Sequence, residues 1–476
     1  ISSPSLPSHS QVRFVPSLLL LAPCNNRAIG CNSRAIGCTK MSDILGPDLI
    51  TDLPQSIIET ILIQLPIRDA TRTSILSSRW RNTWRSITHL VFDEKSFPIP
   101  CDYNDQQLLQ ERVVKFISMV LSLHQGPIHR LQITHRSLLS FPDIDRWILF
   151  VSKNDVEDLT LELGGEFFRM PSCFFDCEKL FRLELSRCEL YPPVSFKGFS
   201  CLKRLNLHQV VISSEAIERL ISTCPLLESL SLIGCDCLAL TISASNLKYL
   251  YLYGEFNDLY LVDMPLLVEL FVSMYMPDDD LSEHIEQSSN CNFVNFLSGV
   301  PNLKRLDGAV HFTKYLSIGN DLRHLALMFN NLECIQMRPV SFMDMKEILV
   351  VLRLIKCSPN LKELHISGIS DIQASAYTED LDFWEKEYHS DSILRKLKVV
   401  DLAEMSGVPH EIEFIKFLLG SSPVLEKMFI IPYISNKEYR LKMLVELMKF
   451  RRASSKAEIY FTCLEYPICV SPGFRD

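Results

Sequence analysis

Glycine is scarce in this chain, 16 residues in 476, and none of it forms a phosphate-cradling G-x-G-x-x-G or P-loop pattern. A G-x-S-x-G nucleophile elbow is missing too, and the twelve histidines contain no H-E-x-x-H pair. With no nucleophile, phosphate cradle or metal motif assembled, the reading is of a protein without an active site, cofactor or metal. There is no run of about 18 apolar residues, so no helix is expected to cross a bilayer. Positive charge is also short. The formal net charge is -9, which gives no general attraction to phosphate backbones or anionic lipid, so neither nucleic acid nor membrane is expected as a partner. The basic cluster Lys449, Arg451, Arg452 and Lys456 reads as a solvated helix flank, with a nuclear-import or phosphate patch as the alternative. The acidic run Asp278 to Asp280 reads as a solvated loop, with hard-cation binding as its alternative.

Cysteine is present, 16 residues, but it is not paired as in a zinc module. Cys173 with Cys177 and Cys235 with Cys237 lack the C-x-x-C spacing and a matching second pair. Several cysteines, Cys188 and Cys235 among them, fall at apolar-pattern positions. They read as buried thiols of a reducing compartment, which places the protein in the cytoplasm and/or nucleus. Acidic residues are missing from 1–42, where Ser, Arg and the apolar run Leu18 to Ala22 imitate a targeting peptide. That stretch repeats itself as Arg27 to Cys31 and Arg34 to Cys38. It is expected to be a disordered leader over 1–44, with the natural start at Met41.

What the chain does have is apolar content, 47%, enough for several domains or one long repeat array. The first patterned segment reads LPQSIIETILIQLPIRDATRTSILSSRWRNTW from Leu53. Pro54 suits a first helical turn, and Ile57, Ile58, Ile61, Leu62 and Leu65 follow at helical spacing until Pro66 ends the helix. A second helix fits Asp69 to Leu76, and a third fits Ser78 to Ile87, presenting Trp80, Trp84 and Ile87. Three helices in so few residues are marginal alone, and their apolar surplus suggests a docking face. Pattern alone leaves a second option open, that the segment simply caps the domain after it.

The phrase L-x-x-L-x-L then recurs from Leu180, Leu202, Leu227, Leu247 and Leu361, with weaker copies from Ile128, Val156, Leu267, Leu303, Leu332, Leu397 and Leu425. In a strand, alternate side chains share a face, so the second and third leucines turn into a core while their neighbours face solvent. Burying each leucine is worth roughly 1.5–3 kcal/mol, and only stacking of repeats achieves it. Helical spacing is found in Glu215 to Thr223, Met345 to Ile355 and Ile412 to Leu419. Asp344 with Glu347 resembles a capping box, and Pro409 and Gly420 mark a start and a stop. Pro225, Pro301, Pro359 and Pro423 each stand two residues before the first Leu of a strand. The predicted unit is helix, proline turn, strand.

The solvent-facing positions form three predicted columns. The first runs Asp158, Arg182, Arg204, Ser229, Tyr249, Glu269; the second Thr160, Glu184, Asn206, Ser231, Tyr251, Phe271; the third Glu162, Ser186, His208, Ile233, Tyr253, Ser273. A polar zone at Arg182, Arg204 and His208 thus adjoins an aromatic zone at Tyr249, Tyr251, Tyr253 and Phe271. Tyr and Arg are common binding anchors, so these seven are the candidate target-binding residues. Strand propensity alone also accounts for the tyrosines.

The pairs Leu53-Pro54 and Leu65-Pro66, then Asp69-Ala70, Thr73-Ser74, Leu76-Ser77, Arg79-Trp80-Arg81 and Trp84, resemble the F-box of plant F-box proteins that carry leucine-rich repeats. The stretches LRKLKVVDLAEMSG from Leu394, FIKFLLGSSPVLEKMFI from Phe414 and LVELMKFRRASSKAEIYF from Leu444 resemble the FBD region of the same proteins. The resemblance implies an α/β fold: a small three-helix F-box at 45–92, a leucine-rich repeat horseshoe at 93–390 and an FBD-like cap at 391–470. It further implies a substrate-recognition subunit of an SCF-type cullin-RING ubiquitin ligase. The F-box would bind the Skp-type adaptor, and through it cullin, by Leu53, Pro54, Ile57, Ile58, Ile61, Leu62, Leu65 and Pro66. The repeats would hold a target protein. Two alternatives stay open, a hormone-like small-molecule receptor whose Arg182 and Arg204 face a ligand anion, and an F-box adaptor working outside any ligase.

Overall fold

The computed structural model describes residues 53–99, 103–136, 138, 143–235, 239–256, 258–274, 293–317, 328–369, 382–388, 394–433 and 437–461. The expected leader, the Met41 start, Cys237 and the acidic run Asp278 to Asp280 lie outside the described residues. No described helix is long and apolar enough to cross a membrane.

The repeat begins at a turn. In five repeats the N–H of the first leucine bonds to the carbonyl just before the proline: Leu227 to Cys224 at 3.2 Å, Leu267 to Met264 at 3.3 Å, Leu303 to Val300 at 3.3 Å, Leu361 to Ser358 at 3.1 Å and Leu425 to Ser422 at 3.4 Å. Proline's fixed φ suits the second position of such a turn. The residue before the leucine is often Asn, and its amide holds the neighbouring turn. Asn246 donates to the Pro225 carbonyl at 2.8 Å, Asn302 to the Pro265 carbonyl at 2.7 Å, and Asn331 to Asn302 Oδ1 at 2.8 Å. These exposed bonds tie each turn to the next along the stack.

Each turn feeds a short strand, and fourteen strands form one sheet in chain order apart from short strands set aside in two small sheets. Neighbours in the large sheet pair parallel, from His89–Asp93 and Arg130–His135 at one end to Lys427–Pro432 and Glu458–Phe461 at the other. Parallel neighbours cannot be joined by a tight hairpin, so the chain returns behind the sheet each time. The inward leucines form one continuous core: Leu183, Leu205, Leu230, Leu250, Leu270, Leu306, Leu364 and Leu402 are all at or below 2% exposure. Helices Ser214–Ser222, Met345–Lys356 and Pro409–Ser421 add Ile217, Leu220, Val351, Leu352, Phe414 and Leu418 to it.

The predicted unit of helix, turn and strand holds only in part. Behind two central strands the return path is itself extended, with Ala239–Ser243 paired to Asp258–Val262 in a separate two-stranded sheet. That path alternates apolar and polar residues, a strand period that admits no helix. The Asp344 and Glu347 pair is also half of what was expected. Asp344 accepts from the Lys346 N–H at 2.8 Å, but Glu347 is buried and accepts from Thr313 Oγ1 at 2.7 Å and the Ser341 N–H at 3.1 Å. It fastens the helix to its neighbours instead of closing the box. Gly420 does not stop its helix, which runs on to Ser421.

At the N-terminal end, Gln55–Gln64 is the first helix, bounded by Pro54 and Leu65 as predicted. The second is shorter, Ile67–Arg72, and passes into a 3-10 turn at Thr73–Ile75. Thr73 Oγ1 and Ser74 Oγ bond back to the carbonyls of Ala70 and Thr71, which competes with a continuing α-helix. The predicted third helix is replaced by turns and a 3-10 segment, Thr83–Ser86. Trp80 and Trp84 are both buried all the same, seated from turns instead of from one helix face. The first sheet strand, His89–Asp93, begins on the F-box side of residue 93.

Candidate functional site

Two surfaces carry the residues singled out above. The first is the outer face of the N-terminal helices. Ile58 and Leu62 are fully buried and belong to the same hydrophobic cluster as Trp84, Ile87 and Leu90 of the sheet end. They are a correction to the expected adaptor-facing set, because a side chain with no exposed area holds the helix to its own fold. Leu53 is half-buried against that core and Pro66 is half-buried. Pro54 is exposed, as are Ile57 at 44%, Ile61 at 38% and Leu65 at 36%. Two further residues, Ile75 at 87% and Leu76 at 60%, are among the most exposed apolar side chains described. Neither is in the expected adaptor-facing set; they stand at the 3-10 turn that follows the second helix. These apolar side chains stand outside a core that already holds the inner face of the helices, which makes them the candidate docking residues.

The second surface is the open face of the sheet. Its register runs as the spacing predicts: Asp158, Arg182, Arg204, Ser229, Tyr249 and Glu269 are successive partners, and so are Thr160 to Phe271 and Glu162 to Ser273. But the small side chains Thr160, Ser186, Ser229, Ser231 and Ser273 are buried between larger neighbours instead of facing solvent. The polar zone is largely self-satisfied. Arg182 Nη2 donates to Glu184 Oε1 at 2.7 Å, and the same oxygen accepts from Asn206 Nδ2 at 2.8 Å. Arg182 therefore does not face a ligand anion beside Arg204 in this arrangement. Arg204 is exposed and makes no side-chain ion pair among the described residues. His208 is exposed, with Nδ1 3.3 Å from Ser186 Oγ.

In the aromatic zone, Tyr251 stacks on Phe271 with centroids 4.1 Å apart and planes at 3°. Burial, with the Asp307 carboxylate nearby, pushes the Tyr251 phenol up. Tyr249 and Tyr253 flank it at 36% and 40% exposure. Beyond the ring pair, Arg338 Nη2 bonds Asp307 at 3.2 Å, while burial pushes the Asp307 carboxyl up against that opposing charge. Farther along stand Cys334, Glu363, His365 and Asp401. Contact with Asp401, then with Cys334, pushes His365 up to about 10. At the other end of the face, a pocket of about 310 Å³ is lined by acidic and basic groups including Glu94, Lys95, Arg136 and Glu162, with Arg136 Nε 3.6 Å from Glu94.

Comparison with known proteins accords with this architecture. Family models match at residues 50–91 (F-box domain), 144–366 (FBD-associated F-box protein At5g56370, LRR repeats) and 390–430 (FBD). The Arabidopsis thaliana F-box/FBD/LRR-repeat protein At1g13570 is 50% identical over 416 residues, covering 87% of this chain and 98% of that protein. The FBD-associated F-box protein At5g22730 of the same plant is 25% identical, covering 87% and 94%. Among solved structures, the LRR protein LIC12759 of Leptospira interrogans covers 80% of this chain and 92% of its own, at 13% identity and a TM-score of 0.30. Order of modules and identity together define a repeat-bearing interaction protein. The chain belongs to the F-box/FBD/LRR-repeat protein family.

The FBD region is structurally continuous with the repeats. The matched residues supply the strand Val399–Met405 and most of Lys427–Pro432, and Glu458–Phe461 follows them as the last strand of the sheet. The final strand buries neither face fully, as suits a cap.

Proposed function

We propose that this chain is the substrate-recognition subunit of an SCF-type cullin-RING ubiquitin ligase. The observation that carries the reading is the set of exposed apolar side chains Pro54, Ile57, Ile61, Leu65, Ile75 and Leu76 within the segment matched by the F-box model. A Skp-type adaptor docks there and brings cullin with it. The open face of the repeats holds the target protein, with Arg204, His208, Tyr249 and Tyr253 as its most accessible candidate anchors and the Tyr251 and Phe271 stack as their floor. The chain performs no chemistry itself. It raises the effective concentration of target lysines near a ubiquitin-carrying enzyme bound elsewhere. It acts in the cytoplasm and/or nucleus, without nucleic acid or membrane as a partner.

The test is reconstitution of the full chain with a Skp-type adaptor, cullin and RING subunit. The reading requires a stoichiometric complex whose ubiquitin transfer to a captured target depends on this chain. Adaptor binding without any transfer would support an F-box protein acting outside a ligase, and failure to bind the adaptor would sink the assignment. A hormone-like receptor is the weaker reading, because Arg182 is tied to Glu184 and only Arg204 is left to meet an anion. Target capture that needs an added small molecule would favour it.

A further inference from the structure

The open face holds one cluster that adaptor docking and target capture leave without a role. Cys334, Glu363 and His365 sit on two neighbouring strands, Cys334–Val340 and Glu363–Gly368, with Cys334 and Glu363 direct register partners and His365 two positions along the same face. Their Sγ, carboxylate oxygen and ring nitrogen all lie within 4.8 Å of one another. From these positions we infer that Cys334, Glu363 and His365 form a binding site for a borderline-soft divalent ion of the zinc class.

Donor chemistry and orientation both support it. A thiolate, an imidazole and a carboxylate together are a zinc-type set, whereas calcium and magnesium take oxygen ligands almost exclusively. In a tetrahedral site with bonds of about 2.0–2.3 Å, donor atoms stand about 3.3–3.8 Å apart, so closure asks for a shift of about an ångström. Glu363 can supply it, since its side chain is 51% exposed and long, while Cys334 is buried at 7% and fixed. His365 is held by both ring nitrogens: Nε2 lies 3.6 Å from Glu363 Oε2 and Nδ1 lies 3.6 Å from Asp401 Oδ2 on the next strand. A carboxylate behind the far nitrogen of an imidazole is the usual device that orients a metal-binding histidine, so Asp401 is a positioning residue. Nearby cations are engaged elsewhere. Arg305, the register partner of Cys334 on its other side, donates to Gln336 Oε1 at 3.2 Å, and Arg338 is bonded to Asp307. Three protein ligands leave a fourth position toward solvent on the same face as the tyrosines, open to water or to a side chain of a bound protein. No spacing rule could show the cluster, because its ligands come from successive repeats. It revises the expectation of a metal-free protein.

The test uses the purified full chain, stripped with a chelator and titrated with Co²⁺ and then Zn²⁺. The inference requires one tight equivalent, a thiolate-to-cobalt charge-transfer band, and Zn²⁺-dependent protection of Cys334 from alkylation mapped by mass spectrometry. Cys334→Ser should abolish the charge-transfer band. His365→Ala should weaken binding by more than about 100-fold, and Asp401→Asn by about 10- to 100-fold. Absence of a tight equivalent would overturn the inference, and so would binding that Cys334→Ser and His365→Ala leave unchanged, which would mean an adventitious ion only. The protection measurement needs no variant, so misfolding of a mutant cannot leave the question open. Adaptor binding is not involved, and its failure would not touch this result.

Discussion

Tyr251 and Phe271 lie ring on ring across two neighbouring parallel strands, 4.1 Å between centroids and with ring planes 3° from parallel. Each shields one face of the other, so this pair stabilises the sheet while Tyr249 and Tyr253 present the accessible rings. Tyr251→Leu is expected to lower stability, with about 1 kcal/mol of the loss coming from the ring pair, and Tyr251→Phe should be nearly neutral. Chemical denaturation of the two variants checks this. Equal stability of wild type and Tyr251→Leu would show that the stack contributes nothing.

Target capture should respond to the outer rings. Tyr249→Ala with Tyr253→Ala is expected to weaken target binding by roughly 2–4 kcal/mol, the range of central aromatic anchors, with adaptor binding unchanged. Arg204→Ala should weaken the target and reduce its salt sensitivity. Arg182→Ala instead frees Glu184 and acts on stability, since the pair it breaks is internal to the face. Target affinity measured against salt concentration separates these outcomes. A folded tyrosine double variant with full affinity would make the aromatic zone structural.

The repeats and their columns were legible because L-x-x-L-x-L carries its own geometry. Once the leucines point inward, the register of Arg182 with Arg204, or Tyr251 with Phe271, follows from strand periodicity. Asn246, Asn302 and Asn331 were legible in principle, each one residue before a repeat leucine, but their partners lie one repeat away. The F-box was recognisable from its motif and misread in its packing. Ile58 and Ile57 look alike in sequence, yet one is buried against the sheet end and the other faces solvent. Leu53–Asp476 form one compact unit, so an excised N-terminal fragment would lose the partner strand Arg130–His135 that His89–Asp93 needs.

Buried thiols define a chemical test. Burial pushes Cys177 and Cys188 up to about 12 and Cys224 up to about 11, so all three stay protonated near neutral pH, while Cys201 is exposed. Because the thiolate is the reactive form, alkylation of the native chain should modify Cys201 and spare the other three. Peptide mapping reads the result. Early modification of Cys188 would contradict its place in the core.

Glu411 offers a pH dependence with a definite sign. It is buried at 1%, and its carboxylate accepts from Ser406 Oγ at 3.0 Å and from the Gly407 N–H. Burial outweighs those bonds and pushes its carboxyl up. A carboxyl whose folded value lies above its unfolded one binds its proton more tightly when folded. Its contribution is then fully present below the ordinary carboxylate range and is lost as pH rises through the raised value. Glu411→Gln should remove that part of the slope. Glu411→Ala should cost roughly 1–3 kcal/mol by orphaning the Gly407 N–H. Parallel pH and stability curves for wild type and Glu411→Gln would contradict the assignment.

The docking face of the N-terminal helices is tested most directly by calorimetric titration of a Skp-type adaptor into the full chain and into the double variant Ile61→Asp with Leu76→Asp. Both residues are exposed, so the substitutions should leave the fold intact, which circular dichroism verifies. The account predicts stoichiometric binding by the wild type and a loss of at least about 100-fold, about 2.7 kcal/mol, in the variant. No binding by the wild type, or equal affinity for both proteins, would contradict it.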